Sequence, residues 1–144
     1  MNLVRKFAMA LTVSAALACQ GATGPTTPPS NYTLLTINGR QLPTFYSPIP
    51  EAPTVISGSL SFDGKGLVTI LEQRRDINGK DTHNSITYRY SLNGGAITFD
   101  YYPSCPPFAA CIRLPKGTLV NDHALIDYYG DGSVIFDYEL RGEI

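Results

Sequence analysis

The chain has 144 residues, with 11 Lys and Arg against 12 Asp and Glu, a formal net charge of −1, three cysteines, nine tyrosines and no tryptophan. That length holds one modest domain and leaves no room for a cofactor domain beside a substrate domain. The charge balance argues against a nucleic-acid partner, because such proteins usually present a basic surface.

The chain begins MNLVRKFAMALTVSAALACQGATG. Arg5 and Lys6 give a positive start, and Phe7 to Ala18 is then apolar or small apart from Thr12 and Ser14. A membrane-spanning helix needs about 20 apolar residues, so this run is too short to cross a bilayer. Charge first and apolar core second is the shape of a secretory signal. Small residues at Ala16 and Ala18 suit the narrow pocket of a processing enzyme.

Ala16-Leu17-Ala18-Cys19 resembles the processing site of bacterial lipoprotein precursors. The resemblance implies cleavage after residue 18, with Cys19 becoming the new N-terminus and carrying lipid, including an acyl chain such as palmitate. It also accounts for the odd cysteine. Several acyl chains together hold a protein firmly, whereas one alone is marginal. In that family an aspartate just after the cysteine signals inner-membrane retention. Gln20 and Gly21 stand there instead, which points to the bacterial outer membrane, with the protein facing the periplasm or the cell exterior. The other reading is an ordinary secretory signal cut near Ala18, with Cys19 free or paired.

Removing residues 1–18 leaves 126 residues with nine basic and twelve acidic side chains, a net of −3. Residues 19–30 are rich in Gly, Pro, Thr and Ser, cannot build a core, and read as a flexible tether. The domain is therefore expected over 31–144.

Asn31 to Asn38 reads as a first strand. Gln41 to Thr54 carries Pro43, Pro48, Pro50 and Pro53, which bars a central strand and makes a loop. Val55 to Phe62 is a second strand, and Asp63-Gly64 is a hairpin signal that returns the chain as a third strand over Gly66 to Arg74. Asp76 to Asp81 is a polar turn. In HNSITYRYSL, Ile86, Tyr88, Tyr90 and Leu92 share one face, and Thr87, Arg89 and Ser91 share the other, the period of a strand with one dry side. After Asn93-Gly94-Gly95, Ile97, Phe99 and Tyr101 alternate with Thr98 and Asp100. Ile112 to Val120 holds one short strand. Ala124, Ile126 and Tyr128 alternate with Leu125, Asp127 and Tyr129. Beyond Gly130-Asp131-Gly132, Val134, Phe136, Tyr138 and Leu140 alternate with Ile135, Asp137 and Glu139.

The expected fold is all-β: an antiparallel up-and-down meander of seven or eight strands, closed as a small barrel or a rolled sheet. A meander with one apolar face must bury it, and closure also removes exposed edges. A pore-forming membrane barrel is disfavoured by outward charges such as Arg89, Asp100 and Asp137. The run of hairpins over 31–141, with FDGKG, SLNGGAITF and YYGDGSVIF, is similar to small lipocalin-like domains of bacterial lipoproteins. That resemblance implies a small apolar ligand in the interior, with Tyr88, Tyr90, Phe99, Tyr101, Phe136 and Tyr138 as wall candidates. The same bulky rings in about 114 residues favour a filled core. Binding then falls to the loops Gln41 to Thr54 and Cys105 to Cys111, with an envelope protein or a glycan as partner.

Cys105 and Cys111 bracket PPFAA. In an oxidising compartment they read as a disulfide that staples a turn, with Phe108 a recognition point if it is presented outward. Their spacing is not that of a redox pair. Zinc would need further ligands, and only His83 and His123 are available. Asp76, Asn78 and Asp81 lack the pattern of a calcium loop. Asp81, His83 and Ser85 lie close in sequence, but nothing orients a base among them. No catalytic residue, metal or cofactor is expected, and the chain reads as a binder rather than an enzyme.

Overall fold

The computed structural model describes residues 30–45, 52–104 and 113–141. They form ten strands and no helix: β1 Ser30–Ile37, β2 Arg40–Gln41, β3 Thr44–Phe45, β4 Thr54–Phe62, β5 Leu67–Arg75, β6 Asp81–Asn93, β7 Ala96–Tyr101, β8 Lys116–Val120, β9 His123–Asp127 and β10 Ile135–Leu140. From β4 to β10 each strand pairs antiparallel with the next in sequence. β1 then closes the ring. It pairs with β4 through Ser30↔Phe62 to Thr33↔Ser59, and with β10 through Tyr32↔Leu140 to Ile37↔Phe136. The result is a closed, eight-stranded, up-and-down barrel with two short extra strands, β2 beside β1 and β3 beside β4. Those extra strands fall partly inside the proline-rich stretch. Prolines there bar a central strand, but they leave room for two-residue pairings such as Thr44↔Val55.

Polar side chains that mimic backbone acceptors set the turns. Asp63 Oδ1 accepts from the N–H of Lys65 at 2.7 Å and of Leu67 at 2.8 Å. Asp76 Oδ1 does the same for Asn78 at 2.9 Å and Lys80 at 2.8 Å. Asp127 offers Oδ1 to Gly130 at 2.9 Å and Oδ2 to Gly132 at 2.8 Å. Between β6 and β7, Gly94 and Gly95 have φ of 56° and 88°, which a two-residue hairpin of the right twist requires.

Period-two alternation puts one row of each strand inside. The interior is aromatic and aliphatic. Near the first residues of β1, Tyr32 packs edge-on to Phe62 at 5.9 Å, and Phe62 edge-on to Tyr90 at 4.8 Å. Around Ile126 the wall is tight, because Gly117 leaves only the space that the methyls of Ile126 and Ile97 fill. Leu140, placed by alternation on the dry side, is 36 % exposed because it is the last residue of β10.

Strand direction divides the barrel into two ends. The basal end gathers the start of β1 at Ser30 and the last residue of β10, Leu140. The distal end gathers Ile37, Thr54, Arg75, Asp81, Tyr101, Lys116 and Asp127. The strands that flank positions 46–51 in sequence, β3 and β4, and those that flank 105–112, β7 and β8, have the adjoining ends there.

Candidate functional site

On β5 the inward row runs Val68, Ile70, Glu72, Arg74. Its first half is apolar and its second half is an ion pair. Glu72 is fully buried. The Arg74 side chain is 17 % exposed. Its Nε–H donates to Glu72 Oε2 at 2.6 Å, and its Nη2–H reaches the same oxygen. Arg74 Nη2 also meets the Tyr128 hydroxyl at 3.5 Å. Tyr128 follows β9, which stands four places round the eight-strand ring from β5, so this contact spans the barrel.

Two buried polar atoms in this region take no hydrogen bond from any described residue: Glu72 Oε1 and the Tyr138 hydroxyl. Burying a polar group without a partner costs free energy, and more so for a carboxylate. Burial pushes the Glu72 carboxyl above the ordinary glutamate value, and the charge and hydrogen bonds of Arg74 pull it part of the way back. Burial first, then the negative charge of Glu72, raises the Tyr128 hydroxyl to about 12. The same two causes hold Tyr138 well above the ordinary tyrosine value. Tyr88 rises through burial, then through Tyr101 and Glu72. Around one carboxylate and one guanidinium, these tyrosines therefore stay neutral. Gly58, the β4 partner of Glu72, gives space to Leu34, whose Cδ2 lies 3.0 Å from where a Cβ would sit.

The wall candidates all face inward and fall into groups. Tyr88 and Phe99 meet edge-on at 5.6 Å. Tyr128 stacks on Phe136 at 5.1 Å, and Phe136 lies 6.2 Å from Tyr138. Tyr90 belongs to the basal cluster with Phe62. Tyr101 is half-buried at the end of β7, opposite Tyr88. These rings pack on one another. Cys19, Cys105, Phe108 and Cys111 lie outside the described residues.

Other polar residues singled out by sequence have local partners. Asp81 is paired with Arg75 at 2.7 Å. His83 lies on the outer wall in a shallow groove with Thr33, Ser57, Ser59, Gln73 and Arg141. His123 Nδ1 meets Asp137 Oδ1 at 2.7 Å on the outer face of β9 and β10. Among the described residues, no three His, Cys, Asp or Glu side chains gather in a way that could hold a metal ion.

Sequence reasoning missed Glu72 and Arg74. The signal was present, since the alternation that places Val68 and Ile70 inside carries on to them. The arrangement offers a buried carboxylate oxygen that can accept a hydrogen bond and a tyrosine hydroxyl that can donate or accept one, among rings that pack on one another. No protein family, curated protein or solved structure matches this chain.

Proposed function

We propose that this chain is a lipid-anchored protein of the bacterial outer membrane that binds a partner at the distal end of its barrel. In this reading residues 1–18 are removed, Cys19 carries the lipid, and residues 19–30 tether the domain. One observation carries it. Ser30, the first residue of β1, is at the basal end, whereas the strand ends that flank positions 46–51 and 105–112 in sequence are at the opposite end. A tether at the base turns the distal end away from the bilayer. The loops singled out by sequence, Gln41 to Thr54 and Cys105 to Cys111, are then available to an envelope protein or a glycan. Asp absent after Cys19 supports outer-membrane delivery, and a disulfide between Cys105 and Cys111 fits an exported chain.

The test is the intact mass of membrane-extracted protein, before and after reduction and alkylation. The expected mass is the 126-residue chain plus a diacylglyceryl group and one further acyl chain. Two alkylations that appear only after reduction place the disulfide. An unlipidated product overturns the anchor. A second reading, a small molecule inside the barrel, is favoured by a specific observation: the buried Glu72 Oε1 and Tyr138 hydroxyl that no described residue satisfies.

A further inference from the structure

Three strands run on past the ring at the distal end. β1 pairs with β4 only through Ser30↔Phe62 to Thr33↔Ser59, and the pairing of β7 with β6 stops at Tyr88↔Tyr101. β4, β5 and β6 stay paired beyond those points, as far as Thr54↔Arg75 and Arg75↔Asp81. They form a three-stranded flap with two edges. β3 covers the β4 edge through Thr44↔Val55 and Phe45↔Thr54. Along Asp81–Thr87 the β6 edge pairs with no other described strand. β7 does not continue along it: Tyr102 and Pro103 bend away, and Pro103 has no N–H to give a ladder.

The register tells which backbone groups this edge presents. The Tyr90 N–H donates to the Gly66 carbonyl at 2.9 Å, so the even-numbered residues of β6 turn their N–H and C=O toward β5. These groups alternate sides along a strand. Asp81, His83, Ser85 and Thr87 therefore turn theirs to the open side. Among the described residues, the side-chain hydrogen bonds of this run go to β5 alone: Asp81 with Arg75 and Gln73, Thr82 with the Arg74 carbonyl, Thr87 with Thr69. Proteins usually blunt such an edge with lysine, proline or a bulge. Asp81–Thr87 has none of these: its register with β5 is unbroken, and its carboxylate is neutralised by Arg75 at 2.7 Å.

From this edge we infer that two copies of the chain join by antiparallel pairing of β6 with β6, about a two-fold axis at His83. Asp81 of each copy then stands opposite Ser85 of the other, and His83 opposite its own counterpart. These pairs exchange both their hydrogen bonds, so the open N–H and C=O groups of Asp81, His83 and Ser85 are all satisfied. Asp81 of each copy lies diagonal to His83 of the other, a complementary pair within side-chain reach. The register also leaves Ile86 and Thr87 clear. A two-fold at Asn84 would instead set Asp81 end-on against Tyr101 of the other copy, which β7 places opposite Tyr88. The exposed Ile77 of the β5–β6 turn is brought toward the exposed Tyr102 of the other copy. The contact is isologous and closes at two copies. Its antiparallel sense sets the barrels distal end to distal end, with their basal ends on opposite sides of the contact. An edge-to-edge contact is small, so its affinity is of the weak, transient class. The pairing depends on neither the lipid anchor nor the distal loops.

The experiment is sedimentation equilibrium of the purified full-length chain in a neutrally buoyant detergent, between about 1 and 100 µM. The wild type is expected to pass from one copy to two across that range. Ser85→Pro removes an N–H from the open side and none from the β5 ladder, and should weaken pairing about tenfold or more. His83→Glu sets two carboxylates opposite each other at the axis, leaves the backbone untouched, and carries the same comparison if Ser85→Pro does not fold. His83→Cys places two thiols across the axis at a separation that a disulfide spans. Mild oxidation should therefore give far more covalent dimer from His83→Cys than from Thr118→Cys, an exposed position on β8. A wild type that stays a single copy, both edge variants associating like the wild type, or equal cross-linking of the two cysteine variants overturns the inference. A single-copy wild type leaves the mass evidence for the anchor untouched, and an unlipidated product leaves the strand pairing standing.

Discussion

Replacing Tyr138 by phenylalanine removes one oxygen and nothing else. Tyr138 is fully buried, its hydroxyl meets no described partner, and its ring keeps the contact with Phe136 at 6.2 Å in the variant. A buried hydroxyl without a partner costs about 1–3 kcal/mol. Its deletion relieves that cost, so Tyr138→Phe is expected to stabilise the unliganded barrel by about 1 kcal/mol, against the ordinary trend of point substitutions. For a domain of about 114 residues that is a rise in Tm of about 4 °C. In urea the midpoint should rise with the slope unchanged, since the area exposed on unfolding is the same. Tyr128→Phe supplies the opposite sign. Its hydroxyl meets Arg74 at 3.5 Å, and its loss should cost about 0.5 kcal/mol. A Tyr138→Phe variant that loses stability by both heat and urea would refute the account of the distal interior.

Glu72 gives a pH signature. Its folded value is raised, so the native state holds this proton more tightly than the unfolded chain. The stability it contributes is fully present below the unfolded value near 4.5 and is lost as pH rises through the higher folded value. The stability of wild type minus that of Glu72→Gln should therefore fall with pH across that window, and a flat difference counts against the buried carboxyl. His123 is also raised, chiefly by its hydrogen bond to Asp137. An NMR titration should find its midpoint above 6.5, and Asp137→Asn should bring it down. Its contribution to stability is present below the unfolded value and lost as pH rises through the folded one; an unshifted midpoint in the wild type removes this pair. Gly117→Ala places a Cβ 2.8 Å from Ile126 Cδ1 and 3.0 Å from Ile97 Cδ1. Overpacking of that kind costs about 1–3 kcal/mol. Adding Ile126→Val should recover part of it, and strict additivity of the two changes would show that the clash is absent.

Much of the barrel was legible in the sequence because its strands are local and half-buried. The alternation of Ile86, Tyr88, Tyr90 and Leu92, and the turns at Asp63-Gly64 and Gly94-Gly95, fix hairpins from neighbouring residues alone, and β4 to β10 are little else. Closure was not fixed in this way. The pairing of β1 with both β4 and β10 depends on strand tilt and on a bulge between Leu34 and Thr36, and no short stretch of sequence encodes either. The ion pair was hidden for another reason. Alternation assigns a dry face by its apolar residues, so the strand was read over Gly66 to Arg74 with no role for the charged side chains that its inward row carries at Glu72 and Arg74. The inward placement of Tyr88, Tyr90, Phe99, Phe136 and Tyr138 was legible because alternation puts them on one face. Their partition into a basal cluster at Phe62 and a distal one at Phe136 needed the ring order of strands.

The closing strand bears on how the chain is made. β1 emerges first from the ribosome and one of its partners, β10, last; Arg141 Nε bonds to Thr33 Oγ1 at 2.8 Å across 108 residues of sequence. Until the final residues are available, both edges of the growing sheet stay open and the ring cannot shut. Contacts of such long range form late and slowly. A barrel whose closure waits on β10 keeps an open edge on β1 until that strand is made.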